Sequence, residues 1–209
     1  MAASQGAFIT IEGIDGSGKS TQARLLHARL KAAGRDAILT REPGGSEGAE
    51  EIRRLLVEGN PDRWSPETEI LLFTAARRDH LERTIDPALD MGAIVICDRF
   101  ADSTRVYQGT ARADLRGMVD SLHALMIRRE PDLTLVIDMD PAAALDRGLA
   151  RNSGEDRFEE LGADFQSRLR QGFRALCDEF PARCRRVDGR GTADEVSDRV
   201  WADVRDFLG

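Results

Sequence analysis

The stretch "FITIEGIDGSGKSTQ", Phe8 to Gln22, constrains this chain more than any other part of it. An apolar run that suits a buried strand leads into glycines, and a helical pattern follows from Lys19. Gly13, Gly18, Lys19 and Ser20 fit the spacing G-x-x-x-x-G-K-[ST] in full. Between a strand and a helix, that spacing has a physical meaning: glycines bring backbone N–H groups against phosphate, and the helix N-terminus faces the anion. The lysine reaches the outer phosphates and the Ser20 hydroxyl reaches Mg²⁺. Gly13, Ile14, Asp15, Gly16, Ser17, Gly18, Lys19, Ser20 and Thr21 are therefore expected to hold a nucleotide.

The remaining pattern repeats the strand–helix rhythm of a parallel α/β sheet. Strands are expected at Ala7 to Gly13, "AILTRE", "AIVICD", "LTLVID" and "RCRRVD". Helices are expected at Lys19 to Ala33, in "EGAEEIRRLLVEG", after Ser65 and Pro66, around Met118 to Arg129, from Pro141, up to about Phe180, and from Thr192 to Phe207. Ser65 can cap and Pro66 can take the first helical position, whereas Pro87 should kink or restart its helix. A polar loop is expected after the third strand. "ARNSGEDRFEE", with its turn at Asn152 to Gly154, reads as a charged cover. The expectation is one domain, residues 1–209, with five parallel strands and helices on both faces.

Composition narrows the function. The 209 residues carry a net charge of −7 and no basic block, against broad nucleic-acid binding. An anionic substrate must then meet a local cluster of cations. No apolar run approaches the ~20 residues that span a bilayer, and "MAASQG" lacks the features of a secretory signal, so a cytoplasmic protein is expected. Cys97, Cys177 and Cys184 form no CxxC pair, and His27, His80 and His123 are scattered; packing or surface roles suit all six. A GTPase switch would carry N-K-x-D, but Asn60 and Asn152 sit in "NPDR" and "NSGE". A transport or motor ATPase would bring further coupling motifs and more chain. A small-molecule kinase fits this length best.

"DRFADSTRVYQG", Asp98 to Gly109, follows the third strand, so Asp98 and Arg99 should lie at the carboxyl edge of the sheet, where open α/β sheets bind ligands. Arg99 suits an acceptor phosphate and Asp98 suits Mg²⁺ or its water shell. The residues alone fit a strand-end salt bridge equally well. Together with "TREPGG" (Thr40 to Gly45), "EEIRRLL" and "LLFTAAR" (Leu71 to Arg77), this stretch resembles the thymidylate kinase family over nearly the whole chain.

The resemblance implies the five-stranded fold of the P-loop NTPases with a short lid, and phosphorylation of dTMP to dTDP by ATP·Mg²⁺ in a homodimer. It implies that Phe73 stacks on thymine and Arg77 bonds its edge; their spacing of four independently puts both on one helical face. Without it, Phe73 would read as core. Thr104 and Gln108 match positions that contact the base, and Tyr107 one beside the sugar. Arg41, Arg53 and Arg99 match positions around the acceptor phosphate, although Arg53 also suits a solvated helix face. Asp15 matches an acidic loop position facing the acceptor. Phe100 replaces a common Tyr and Val106 a usual Ala, both keeping apolar bulk. Since the loop offers only Lys19, a further cation is expected from a lid at about 147–159, with Arg151 first among Arg147, Arg151 and Arg157. The alternatives are another nucleoside monophosphate kinase or a nucleotide-binding regulatory protein.

Overall fold

The computed structural model describes residues 6–58, 63–112, 114–149 and 162–209, with the side chains of 110–112, 147–149, 162 and 163 left aside. The apolar runs form strands β1 (Ala7–Glu12), β2 (Ala37–Arg41), β3 (Ile94–Asp98), β4 (Leu133–Asp138) and β5 (Cys184–Asp188). They make one parallel sheet in the order β2-β3-β1-β4-β5. β1 lies between β3 and β4: the chain leaves β1 for β2 on one side, whereas β3 connects across β1 to β4 on the other, so the connections diverge at the carboxyl ends of β1 and β3. Ligand crevices of open α/β sheets form at such a point.

Helices α1 (Lys19–Ala32), α2 (Glu47–Val57), α3 (Pro66–His80), α4 (Asp86–Asp90), α5 (Ala101–Val106), α6 (Arg116–Leu122), α7 (Pro141–Leu149), α8 (Gly162–Glu179) and α9 (Ala193–Leu208) surround the sheet. Ile9, Ile11, Ile96 and Leu135 bury one face with Leu26, Leu30 and Val200 of α1 and α9. On the other face Phe8 and Val95 pack with Leu81 and Phe100, and Val136 packs with Phe165, Leu169 and Phe173 of α8. Burial on both faces explains why these strands are runs of apolar residues rather than alternating ones.

Two expectations about helix ends hold. Ser65 accepts the Thr68 N–H at 3.2 Å, with Pro66 beginning α3. After α3 the chain widens into a π-type turn at Leu81–Ile85, and Pro87 opens α4, so the proline restarts rather than ends the helix. The expected polar loop after β3 is instead α5 followed by a π-type turn at Tyr107–Arg112. Its residues are polar because they face partners inside the protein: Asp102, Thr104, Arg105 and Gln108 are all buried.

Candidate active site

Gly13 and Gly16 show why the loop after β1 needs glycine. Gly13 has φ 138°, and a Cβ there would lie 2.7 Å from the Ile137 carbonyl of β4. Gly16 has φ 77°, and its Cβ would collide with the Ala144 carbonyl of α7 at 1.9 Å. The backbone can thus curl tightly between β4 and α7 before entering α1. Lys19 is buried and donates to the Ile14 carbonyl at 2.7 Å, across the mouth of the loop. Burial, and then the Arg99 charge, pull its ammonium down to about 8 against the opposing pull of Asp15 and Asp98.

Arg99 joins the loop to the carboxyl edge of β3. Its backbone takes φ 70°, a left-handed conformation costing a non-glycine residue roughly 1–3 kcal/mol unless its surroundings hold it. Its N–H donates to the Ile11 carbonyl at 3.0 Å. Its guanidinium donates to Asp15 and to Ser103 Oγ, and stands 5.1 Å from the centre of the Tyr107 ring. The Tyr107 hydroxyl donates to the other Asp15 oxygen at 2.7 Å. Burial alone would push the Asp15 carboxyl up, yet Arg99 and Lys19 hold it below the ordinary carboxylate value. A charged triad of Lys19, Asp15 and Arg99 results.

On one side of Arg99 lies a small, largely apolar cavity, lined among others by Phe73, Arg77, Phe100, Thr104, Tyr107 and Gln108. Arg77 is buried at its edge, donating from Nε to Glu42 at 2.7 Å and from Nη2 to Thr104 Oγ1 at 3.1 Å. Its guanidinium lies over Phe100, 5.0 Å from the ring centre. Gln108 Nε2 donates to Glu69 at 3.4 Å. On the other side a wider cavity of about 630 Å³ carries most of the charged side chains, with Ser20, Arg41, Arg53, Asp98 and Arg99 among its lining residues.

The donors in that second cavity fit a hard cation. Asp98 has one buried carboxylate oxygen without a protein hydrogen bond, and it shares the cavity wall with the Ser20 hydroxyl. Oxygen ligands of this kind, one or two from protein and the rest from water and phosphate, are what Mg²⁺ takes. Arg41 faces the same space while paired with both oxygens of Glu50 at 3.0 and 3.1 Å. Arg53 donates to the Pro43 carbonyl.

Every expected site residue outside the lid thus lies around the two cavities or in the loop between them. Arg151 and Arg157 lie outside the described residues, as does the Arg147 side chain. Of four buried carboxylates that the sequence does not single out, Glu12, Glu42, Glu69 and Asp102, the first two bear most directly on Arg99 and Arg77. Glu12 ends β1 with no exposed surface and accepts the Phe100 N–H at 2.7 Å and the Ser103 hydroxyl at 2.6 Å. Burial, then Asp102, push its carboxyl up to about 7. Glu42 accepts from Arg77 and approaches His80 Nδ1 at 3.1 Å, while His80 Nε2 lies 2.7 Å from Thr40 Oγ1. His80 is thus part of a buried polar chain that includes an ionised pair. A glutamate closing the apolar run "FITIE" was the one visible signal for Glu12.

Comparison with known proteins gives a consistent picture. The family model described as thymidylate kinase matches residues 11–200. A thymidylate kinase of Ruegeria pomeroyi is 64% identical over 203 residues, covering 97% of this chain and 94% of its own length. One from Dinoroseobacter shibae is 68% identical over 197 residues, covering 94% and 95%. The crystal structure of thymidylate kinase from Ehrlichia chaffeensis superposes with a TM-score of 0.79 at 34% identity, covering 95% of this chain and 98% of that one.

Proposed function

This chain belongs to the thymidylate kinase family, and from that premise we propose that it transfers the terminal phosphoryl group of ATP to the 5′-phosphate of dTMP, giving dTDP. The observation that carries the reading is that Arg99, bonded to the phosphate loop through Asp15, lines both the apolar cavity and the wider, charged one. A nucleoside monophosphate laid in the first cavity along Phe73 would present its phosphate near Arg99, beside the loop.

Phosphoryl transfer depends on alignment and charge neutralisation more than on covalent chemistry from the protein. The backbone N–H groups of Gly13 to Ser20 and the start of α1 bind the donor phosphates, and Lys19 neutralises the group in transit. Asp15 keeps Lys19 and Arg99 apart and aimed, donor side and acceptor side. Arg99, with Arg41 and Arg53 nearby, holds the acceptor phosphate in line. Phe73 stacks on the base, Arg77 and Gln108 read its edge with Thr104, and Tyr107 crowds a 2′-hydroxyl. Ser20 and Asp98 would hold Mg²⁺, which would supply neutralising charge for the donor phosphates.

Arg151 is proposed as the additional cation of a lid at about 147–159, because the loop contributes only Lys19. Residues 1–209 are proposed to work as one domain, in the cytoplasm, as a homodimer. Among the described residues no helix is long and apolar enough to cross a membrane, and exposed Leu71, Leu125 and Met126 offer apolar surface for a second copy. A coupled ADP-release assay across nucleoside monophosphates tests the reading: dTMP should be the best acceptor, dUMP slower, AMP and GMP negligible. Equal activity with AMP or CMP would move the assignment to another monophosphate, and no monophosphate-dependent turnover would favour a regulatory protein.

A further inference from the structure

Glu12 is a puzzle on physical grounds. A fully buried carboxylate normally has a cation against it, because desolvation penalises the charge heavily. Here the groups bonded to it are neutral donors, the Phe100 N–H and the Ser103 hydroxyl, while the Arg99 and Lys19 charges act on it without bonding it. Both belong to the segment that follows Arg99, and the Phe100 N–H is half of the peptide that joins Arg99 to Phe100. Holding that N–H restricts rotation immediately after Arg99, the residue whose backbone is in the left-handed region at φ 70°. Ser103, the second partner, is itself bonded by the Arg99 guanidinium at 3.2 Å. One carboxylate therefore grips both the backbone and the side-chain support of Arg99.

We propose that Glu12 is a positioning residue for the acceptor phosphate: through Phe100 N–H and Ser103 Oγ it holds Arg99 in the strained conformation that aims its guanidinium at Asp15 and the acceptor side. Its place in the chain suits the role, since it ends the same strand from which the phosphate loop springs. The donor loop and the acceptor arginine are thereby referenced to a single residue of the central strand. Helix α5 has a separate anchor on its other side, where Asp102 accepts from Arg105 at 2.8 Å and from Arg183 at 2.6 and 3.0 Å. Losing Glu12 therefore releases the Arg99–Phe100 peptide without releasing the helix.

The inference rests on Arg99 as the acceptor-phosphate residue, so the test is a double-variant cycle that separates the two claims. The set is wild type, Glu12→Ala, Arg99→Ala and the double variant, with dTMP kcat/KM and ATP dissociation constants measured on each full-length enzyme. Glu12→Ala should lower dTMP kcat/KM at least thirtyfold, mostly through KM, while ATP affinity changes less than threefold. In the Arg99→Ala background the same substitution should cost less than threefold, because the residue it positions is gone. Glu12→Gln, which can accept the Phe100 N–H and donate to Ser103 Oγ, should restore at least a third of the wild-type value. Glu12→Asp, which keeps the charge but draws it back by one methylene, should lose as much as Ala and serves where the Ala variant does not fold. Equal losses in both Arg99 backgrounds, or full acceptor use by Glu12→Asp, would overturn the positioning role. An Arg99→Ala enzyme with wild-type dTMP kinetics would overturn the reading of Arg99 instead.

Discussion

Arg77→Met separates what the base cavity needs for stability from what it needs for recognition. Arg77 and Glu42 are each only 4% exposed, with Nε and Oε2 2.7 Å apart. Removing one member of a buried pair leaves the other as an uncompensated charge, which costs about 3–5 kcal/mol. At a denaturant slope of about 2–3 kcal/mol/M, a loss of ~3 kcal/mol lowers the urea midpoint by roughly 1–1.5 M. Adding Glu42→Gln removes the stranded charge and should recover at least half of that shift. dTMP use should recover in neither variant, because the guanidinium proposed to read the base edge is absent from both. A midpoint shift under ~0.3 M for Arg77→Met, or a double variant no more stable than the single one, would refute the buried-pair reasoning.

Lys19→Ala should reduce kcat by at least a hundredfold, on the order of 3 kcal/mol of transition-state stabilisation, read by steady-state kinetics. Because the Lys19 ammonium of the free enzyme titrates at about 8, kcat/KM for ATP should decline as pH rises above that value; a flat profile to pH 9.5 would contradict it. For Glu12 the folded value of about 7 lies above the ordinary 4.5, so the folded protein holds more protons than the unfolded chain between those pH values. Stability from this group is therefore lost as pH rises from about 4.5 to 7. Relative to wild type, Glu12→Gln should gain about 2–3 kcal/mol between pH 5 and pH 8 in urea titrations, and a constant difference would rule out the buried charge. Gly16→Ala drives a Cβ into the Ala144 carbonyl, and should abolish ATP binding by calorimetry while the far-UV spectrum persists.

Much of this architecture is legible in the sequence because it rests on local, repeated signals. Five apolar runs separated by helical patterns favour a parallel sheet, and the glycine spacing marks the strand end that faces phosphate. Phe73 and Arg77 are readable as a pair because a spacing of four puts them on one face of α3. The helix at Ala101–Val106 is not, since a six-residue segment with four consecutive polar side chains, Asp102 to Arg105, carries no periodic signal and its partners come from distant parts of the chain. Glu42 and His80 are opaque for the same reason: thirty-eight positions apart, they meet only after β2 and α3 have packed. Glu12 was visible as a charge at the end of a buried strand, yet nothing local says that Phe100 and Ser103 would be its partners.

The proposed arrangement places the base in the Phe73–Arg77 cavity, the acceptor phosphate on Arg99 and the donor phosphates on the Gly13–Ser20 loop. A crystal structure of the enzyme with dTMP, ADP and Mg²⁺ measures this directly. Thymine should stack on Phe73 with its edge within about 3.2 Å of the Arg77 guanidinium, and the dTMP phosphate should bond to Arg99 across from the loop. Thymine outside that cavity, or a dTMP phosphate that leaves Arg99 bonded only to Asp15 and Ser103, would contradict it.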